Sequence, residues 1–89
     1  MKLPNIVNGL NNKRLTITLQ LADTSTHCEI YCESAKVFIK RDKSNNPTEL
    51  VFMNEDFEQI AIDIATINSF LKKDSTYIFN CGNHSVMVE

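Results

Sequence analysis

Apolar and polar residues alternate along much of the chain, which is the pattern of strands that bury one face. In residues 15–21 leucine and isoleucine occupy every second position, with threonine and glutamine between them. Residues 49–53 predict a further strand, and most of it is apolar on both faces. Residues 1–14 are rich in asparagine and predict a loosely ordered lead-in with, at most, a short edge strand at 5–7.

Residues 27–42 predict a β-hairpin that folds back at Ser34-Ala35. In this register Tyr31 lies opposite Phe38, and basic side chains face acidic ones on the same side of the sheet. Directly opposed side chains stabilise a sheet by about 0.2–1 kcal/mol per good pair. The other opposed pairs are Glu33 with Lys36, Glu29 with Lys40, His27 with Asp42, Cys32 with Val37 and Ile30 with Ile39.

The last part of the chain predicts a second hairpin. Residues 75–81 and 84–89 flank Gly82-Asn83, a pair that suits a two-residue turn between antiparallel strands. The register predicts three opposed pairs: Phe79 with Val86, Tyr77 with Val88, and Ile78 with Met87 on the other face.

Residues 54–73 predict the one long helix. Asn54 is a good N-cap, acidic residues follow it, and two lysines end the segment, as the helix dipole favours. Apolar residues recur at steps of three and four and form one stripe: Phe57, Ile60, Ile64, Ile67 and Leu71. The predicted fold class is therefore α+β, a mainly antiparallel sheet of four to six strands in the order ββββ-α-ββ, with this helix packed on one face.

Length and composition predict a single domain of 89 residues with a formal net charge of −2. The near balance of charge argues against a general nucleic-acid binder, which gains affinity from excess lysine and arginine. The amino-terminal residues lack the apolar core of a signal peptide, and no segment is long and apolar enough to span a membrane. Three cysteines, an odd number, fit free thiols in a reducing compartment, so we expect a cytoplasmic protein.

Cysteine and histidine spacings do not predict a metal site. Cys28 and Cys32 share a strand face that we assign to the core, but they lie about 13 Å apart at ~3.3 Å per residue, too far to bind one ion. Cys81 and His84 flank a turn and form the one candidate dyad, without a third group to orient it. We therefore expect no metal, no cofactor and no catalytic residue, and hence no enzyme.

Surplus apolar surface is the strongest functional signal, because one helix covers only one face of a sheet. Exposed apolar patches mark interfaces, and aromatic residues are enriched in them. The candidate protein-binding residues are Tyr31, Phe38 and Phe52 on the uncovered sheet face with Lys36 and Lys40 at its rim, or Ile62 and Phe70 on the helix.

The favoured hypothesis is a non-catalytic interaction protein that binds another protein stoichiometrically, with a homodimer as a further possibility. The length and the asparagine-rich composition are similar to those of accessory proteins from phages and mobile elements, including inhibitors of host systems. The alternative hypothesis is a nucleic-acid-binding regulator. Its basic and aromatic residues would be Lys36, Phe38, Lys40, Arg41 and Lys43, although the opposed glutamates of the 27–42 hairpin neutralise two of the lysines.

Overall fold

Eight antiparallel strands and one short α-helix form the part of the chain that the computed structural model describes, residues 2–23 and 25–89. The helix α1 spans Leu3–Leu10. The strands are β1 Leu15–Leu21, β2 His27–Cys32, β3 Lys36–Arg41, β4 Pro47–Met53, β5 Gln59–Asp63, β6 Ser69–Lys73, β7 Thr76–Asn80 and β8 His84–Val88, and a 3-10 turn spans Ile64–Thr66.

The strands form two sheets that share one core. The five-stranded sheet has the order β2-β1-β8-β7-β6, and the three-stranded sheet has the order β3-β4-β5. The chain passes between the sheets after β2 and again after β5, while β8 returns to pair with β1. Buried residues from both sheets form one cluster, in which the ring centroids of Phe52 and Phe79 lie 6.3 Å apart across the two layers.

Two predicted strands and the second hairpin are confirmed. The alternation of residues 15–21 gives β1, whose Leu15 and Ile17 are buried, and residues 49–53 lie in β4. The strands β7 and β8 pair in the predicted register: Phe79 with Val86, Tyr77 with Val88 and Ile78 with Met87. Gly82 in the connecting turn has φ +84°, a conformation that glycine adopts at no steric cost.

The predicted pairing within residues 27–42 is wrong, although both strands exist. Tyr31 lies opposite Thr16 of β1, and Phe38 lies opposite Val51 of β4, so β2 and β3 belong to different sheets. The buried Ala35 holds the crossing, because its amide donates to the Lys13 oxygen at 2.8 Å and its carbonyl accepts from Asn12 N–H at 2.8 Å. Burial of the alternate residues of both strands in one core outweighs the cross-strand charge pairs.

The predicted helix over residues 54–73 is wrong. This segment forms a tight turn, the strand β5, the 3-10 turn and the strand β6. In β5 the buried Ile60 and Ile62 alternate with exposed residues, which is the two-residue period of a strand. Asp63 ends β5, and its side chain accepts from the Ala65 amide at 3.1 Å, which starts the 3-10 turn.

Residues 1–14 are also more ordered than predicted, because α1 replaces the loose lead-in and the edge strand. Pro4 stands in the first turn, where a missing N–H costs nothing, and Ile6 and Leu10 are buried in the common core. After the helix, the Asn11 side-chain oxygen accepts from the Val37 amide at 3.0 Å, which attaches the helix exit to β3.

The fold is thus mostly antiparallel β-structure with one short helix, in two sheets rather than one. Within residues 2–23 and 25–89, no helix is long and apolar enough to cross a membrane. The largest side chains with no exposed surface come from both sheets: Ile17, Cys32, Leu50, Val51, Phe52, Ile62, Phe79, Val86 and Val88.

Candidate functional site

The turn between β4 and β5 places an aromatic residue where a hairpin usually has glycine. The Asn54 carbonyl accepts from the Phe57 amide at 3.2 Å, and the Asn54 amide donates to the Glu58 carbonyl at 3.0 Å. This is a three-residue loop, a common hairpin connection that needs one residue in the left-handed conformation. Phe57 is that residue, with φ +64°.

Phe57 is unusual in its backbone and in its exposure. The other non-glycine residues with positive φ in the described chain are Asn12, Asn45 and Asp74, types that tolerate this conformation. A bulky side chain there costs about 1–2 kcal/mol. The Phe57 side chain is nevertheless 78% exposed, the largest fraction among the large apolar residues that the structure describes. Neither local conformation nor burial explains a phenylalanine at this position.

The buried side chain of Asn54 fixes this turn by hydrogen bonds. It is only 5% exposed, and its side-chain oxygen accepts from the Asp56 and Glu58 amides, each at 3.0 Å. Its side-chain NH2 donates to the Glu58 carboxylate at 2.8 Å and to the Tyr31 carbonyl at 3.2 Å. Asn54, which the sequence predicts to be a helix N-cap, thus stabilises a hairpin turn instead.

The end of β2 lies against the same turn. Tyr31 is 49% exposed, and its hydroxyl donates to the Glu33 carboxylate at 2.9 Å, a bond that raises the pKa of Tyr31. The Ser34 amide donates to the Glu55 carboxylate at 2.6 Å, which lowers the pKa of Glu55. These bonds hold the Tyr31 ring against Glu33 and attach the end of β2 to the β4–β5 turn through Glu55.

We call Tyr31, Glu33 and residues 54–58 the acidic–aromatic tip. Its four carboxylates are Glu33, Glu55, Asp56 and Glu58, and all four residues are exposed. Arg14 lies 3.4 Å from the Glu33 carboxylate and offsets part of this charge. The tip therefore combines an anionic surface with an exposed phenylalanine on a rigid turn.

The structure scatters the residues predicted to bind a partner. Phe52 and Ile62 are fully buried between the sheets, so they offer no surface. The long helix that was expected to leave Phe52 uncovered and to carry Ile62 on its outer side does not exist. Phe70 is half-buried, with its ring 5.1 Å from that of Phe79. Only Tyr31 lies at the tip.

The basic residues of β3 lie elsewhere, on the outer face of the three-stranded sheet. Lys36, Phe38 and Lys40 share this face because they alternate along β3. Lys40 lies 3.8 Å from Glu49, and Asp63 follows next to Glu49 across the sheet. The charge is thus offset on this face, but by Glu49 and Asp63 rather than by the glutamates predicted from the hairpin register.

The remaining basic residues of the alternative hypothesis lie at and beyond the end of β3. Arg41 donates to the Asn45 carbonyl at 3.1 Å, and Lys43 is exposed in the adjoining loop. The register between β3 and β4 shifts between Lys40 and Arg41, so Arg41 does not continue the row of Lys36, Phe38 and Lys40. The five residues therefore do not form one basic platform.

Cysteine and histidine side chains are dispersed. Cys28 lies on the core-side face of β2 with Ile30 and Cys32, as predicted, but it is exposed near the start of the strand, whereas Cys32 and Cys81 are buried. Burial raises the pKa of both buried thiols. His84 shares a hydrogen bond of 2.7 Å with the Asn83 side chain. Within the described residues, no group of three or more His, Cys, Asp or Glu side chains is placed to hold a metal ion.

Sequence reasoning missed Phe57 because it assigned this residue to the apolar stripe of a helix. The signal was present in the two-residue alternation that starts at Gln59, since a strand there requires a turn at residues 54–58. Asn54 followed by acidic residues suits a turn as well as an N-cap.

The chain was compared with known protein families, curated proteins and solved structures. The chain matches no family model, no curated protein and no solved structure. The physical properties of the acidic–aromatic tip therefore carry the functional argument.

Proposed function

We propose that this chain is a small non-catalytic protein that binds another protein stoichiometrically through the acidic–aromatic tip. The single observation that carries the proposal is the state of Phe57: its side chain is 78% exposed, and its backbone has a left-handed conformation that is unfavourable for a bulky residue. Strained residues concentrate at functional sites, and an exposed aromatic ring is a typical anchor of an interface.

The charge of the tip defines the partner surface. The tip carries four exposed carboxylates together with the exposed Phe57 and Tyr31, so the complementary surface carries lysine or arginine side chains around an apolar depression for the Phe57 ring. Nucleic acid is disfavoured at this site because its phosphates repel carboxylates.

Rigidity of the tip supports tight binding despite its small size. The Asn54 side chain makes four hydrogen bonds to the turn and to β2, so little conformational entropy is lost when a partner docks. A pre-organised loop avoids part of the ordering cost of association.

Inhibition is the simplest consequence of such binding. A protein that covers a basic surface competes with the anionic ligands of that surface, as an inhibitor of a host protein or another accessory protein would. We further propose that the protein acts in the cytoplasm. The three free cysteines support this location, because thiols stay reduced there.

The test compares partner capture by matched surface variants. Tagged wild-type protein, Phe57→Asn and Glu55→Lys/Asp56→Lys are used to capture proteins from the source cells, with quantification by mass spectrometry. Asparagine tolerates the left-handed turn, so Phe57→Asn removes the ring while keeping the backbone. Leu71→Asn, an exposed apolar residue on another face, is the matched control.

We expect one or more proteins captured by wild type and by Leu71→Asn to be lost from both tip variants, and capture to weaken as salt rises. Circular dichroism and urea unfolding verify that each variant is folded. Equal capture by the tip variants and wild type would refute the proposal. Capture of nucleic acid alone, removed by nuclease and retained by Phe57→Asn, would favour the alternative hypothesis instead.

A further inference from the structure

Within the part of the chain that the structure describes, the strand β6 leaves backbone groups unpaired at an edge of the five-stranded sheet. Its one neighbour in the sheet is β7. The two-residue turn at 74–75 joins these strands, and Lys73 lies opposite Thr76 across it. Residues beside such a turn exchange both backbone hydrogen bonds, and bonded and non-bonded pairs then alternate along the hairpin. Phe70 and Lys72 occupy non-bonded positions, so their N–H and C=O groups point away from β7.

Two cavities lie along this edge, and Phe70 borders both. The first, of 220 Å³, lies between the amino-terminal half of α1 and the inner face of β6. It is lined by Lys2, Asn5, Ile6, Phe70, Lys72 and Tyr77. The second, of 260 Å³, is lined by Ile67, Asn68, Ser69 and Phe70. A strand added beside β6 places every second side chain on the inner face, ~7 Å apart, so two successive inner-face side chains can enter one cavity each.

The first cavity has a cationic rim, whereas the second is lined by neutral residues. Within the described residues, neither Lys2 nor Lys72 makes an ion pair. The Lys72 ammonium group lies 5.3 Å from the centre of the Tyr77 ring, which holds the charge beside the first cavity. The acidic residues Asp74 and Glu89 line an adjoining cavity rather than this one. The first cavity is therefore complementary to a carboxylate.

We propose that the β6 edge binds an extended segment of another protein, which adds a sixth strand to the five-stranded sheet. The segment carries an acidic residue two positions from an apolar one. The aliphatic part of the acidic side chain packs against Ile6 and Phe70, and its carboxylate reaches Lys2 and Lys72. The apolar side chain enters the second cavity. In strand addition, backbone hydrogen bonds supply affinity, and pockets for alternate side chains supply specificity.

The other edge strands of the described sheets do not offer this combination. On β3 the Val37 amide donates to the Asn11 side chain, and on β2 the Tyr31 carbonyl accepts from the Asn54 side chain. The strand β5 carries Asp63 and no cation. Free backbone groups, two cavities and unpaired cations therefore coincide at β6.

The lysines of β6 also select between occupants. Charged side chains on an edge strand hinder pairing between copies of the same protein. Two β6 strands side by side would bring Lys72 and Lys73 of both copies together, which like-charge repulsion disfavours. The same charges attract an acidic segment, so the occupant is a different protein.

Selection from a phage-displayed library of random short peptides, with the full chain as bait, tests the inference. We expect enriched peptides with an acidic residue two positions from an apolar one, and their binding should weaken as salt rises. The charge-reversed bait Lys2→Glu/Lys72→Glu should instead enrich lysine or arginine at the acidic position. In wild type, a synthetic copy of an enriched acidic peptide should slow hydrogen exchange of the Phe70 and Lys72 amides.

Two substitutions at one position separate the backbone contribution from the charge. Lys72→Ala removes the ammonium group and should weaken binding of the acidic peptide about threefold. Lys72→Pro also removes the outward N–H, so we expect binding to weaken roughly tenfold further. Proline is tolerated on an edge strand where its nitrogen faces away from the neighbouring strand. Retained protection of the Leu71 amide verifies that β6 still pairs with β7 in this variant.

Phe57→Asn is the control, because it alters the acidic–aromatic tip and should bind the acidic peptide as wild type does. Failure to enrich any peptide of this kind would overturn the inference. So would a bound acidic peptide that leaves the Phe70 and Lys72 amides unprotected or is lost from Phe57→Asn, or equal binding by Lys72→Pro and Lys72→Ala. Should Lys72→Pro fail to fold, the exchange measurement on wild type decides the question by itself.

Discussion

Asn54 lies in the β4–β5 turn of one sheet and Tyr31 in β2 of the other, and the Asn54 side-chain amide joins them by donating to the Tyr31 carbonyl at 3.2 Å. The same asparagine also holds the turn that presents Phe57. A single buried side chain thus connects the end of β2 to the β4–β5 turn and gives the acidic–aromatic tip its shape.

Replacement of Asn54 should destabilise the whole fold. Asn54→Ala leaves the Asp56 and Glu58 amides and the Tyr31 carbonyl without their side-chain partner, and we expect a loss of about 2–4 kcal/mol. Urea unfolding followed by circular dichroism measures this loss. Asn8→Ala, an exposed asparagine on α1, is the control and should change the free energy of unfolding by less than about 0.5 kcal/mol. A similar stability for both variants would contradict the assigned role of Asn54.

Replacement of Phe57 should have the opposite effect on stability. Phe57→Gly relieves the left-handed strain of about 1–2 kcal/mol, while the greater freedom of glycine in the unfolded chain offsets about 0.4–1 kcal/mol. We expect the free energy of unfolding to stay equal or to rise slightly. The exposed ring contributes little burial, so a loss above about 1 kcal/mol would show that Phe57 supports the fold rather than a partner.

Acid should loosen the tip and the loop after β3. Backbone amides lower the pKa of Glu55 (from Ser34) and of Asp42 (from Asn46 and Ser44). Because these pKa values are lowered in the folded state, the stabilisation is present above the ordinary carboxyl pKa and is lost as pH falls through the folded-state pKa.

We therefore expect the free energy of unfolding to decline between about pH 5 and pH 2. Urea unfolding at a series of pH values measures the decline, and Glu55→Gln should make it shallower. Faster exchange of the Ser34 amide proton at low pH gives a local readout. Unchanged slopes in Glu55→Gln would contradict the contribution of this carboxylate.

Core truncation distinguishes the observed strand from the predicted helix. Ile62 is fully buried in β5, so Ile62→Ala should cost about 2–5 kcal/mol, although the helix pattern placed this residue on an exposed face. Leu71 is exposed in β6, and Leu71→Ala should cost less than about 1 kcal/mol, although the helix pattern placed it in the buried stripe. Thermal unfolding of dilute protein compares the two, and a reversed order would contradict the strand assignment.

The sequence was informative where local pattern and tertiary burial agree. Residues 15–21 and the hairpin around Gly82-Asn83 carry a two-residue period and a turn pair, and both have the predicted structure. The second of these even shows the predicted register, because adjacent strands joined by a tight turn have few alternatives.

The sequence misled where one segment satisfies two periods. Ile60, Ile64 and Ile67 fit a helical stripe, yet Ile60 and Ile62 alternate as a strand, and the decision depends on the facing sheet. Likewise, the pairs predicted between β2 and β3 are favourable locally. In the structure β2 pairs with β1 and β3 pairs with β4 instead, because these pairings complete the core.

The tip could be recognised only after the fold was known. The sequence contains Phe57 among acidic residues, but its exposure follows from the turn, and the turn follows from β5. Tyr31 is exposed, as predicted. Phe52 and Ile62 are buried in the core instead, because a second sheet takes the place of the predicted long helix.

The pairing of β1 with β8 has a consequence for how the chain folds. Ile17 lies opposite Val88, some seventy residues later, so the five-stranded sheet cannot close until the last strand is made. Until then, one edge of β1 exposes unpaired backbone groups beside apolar side chains, a template for aggregation. Such distant pairing also slows folding, so the newly made chain depends on rapid completion of its carboxyl-terminal hairpin to stay out of aggregates.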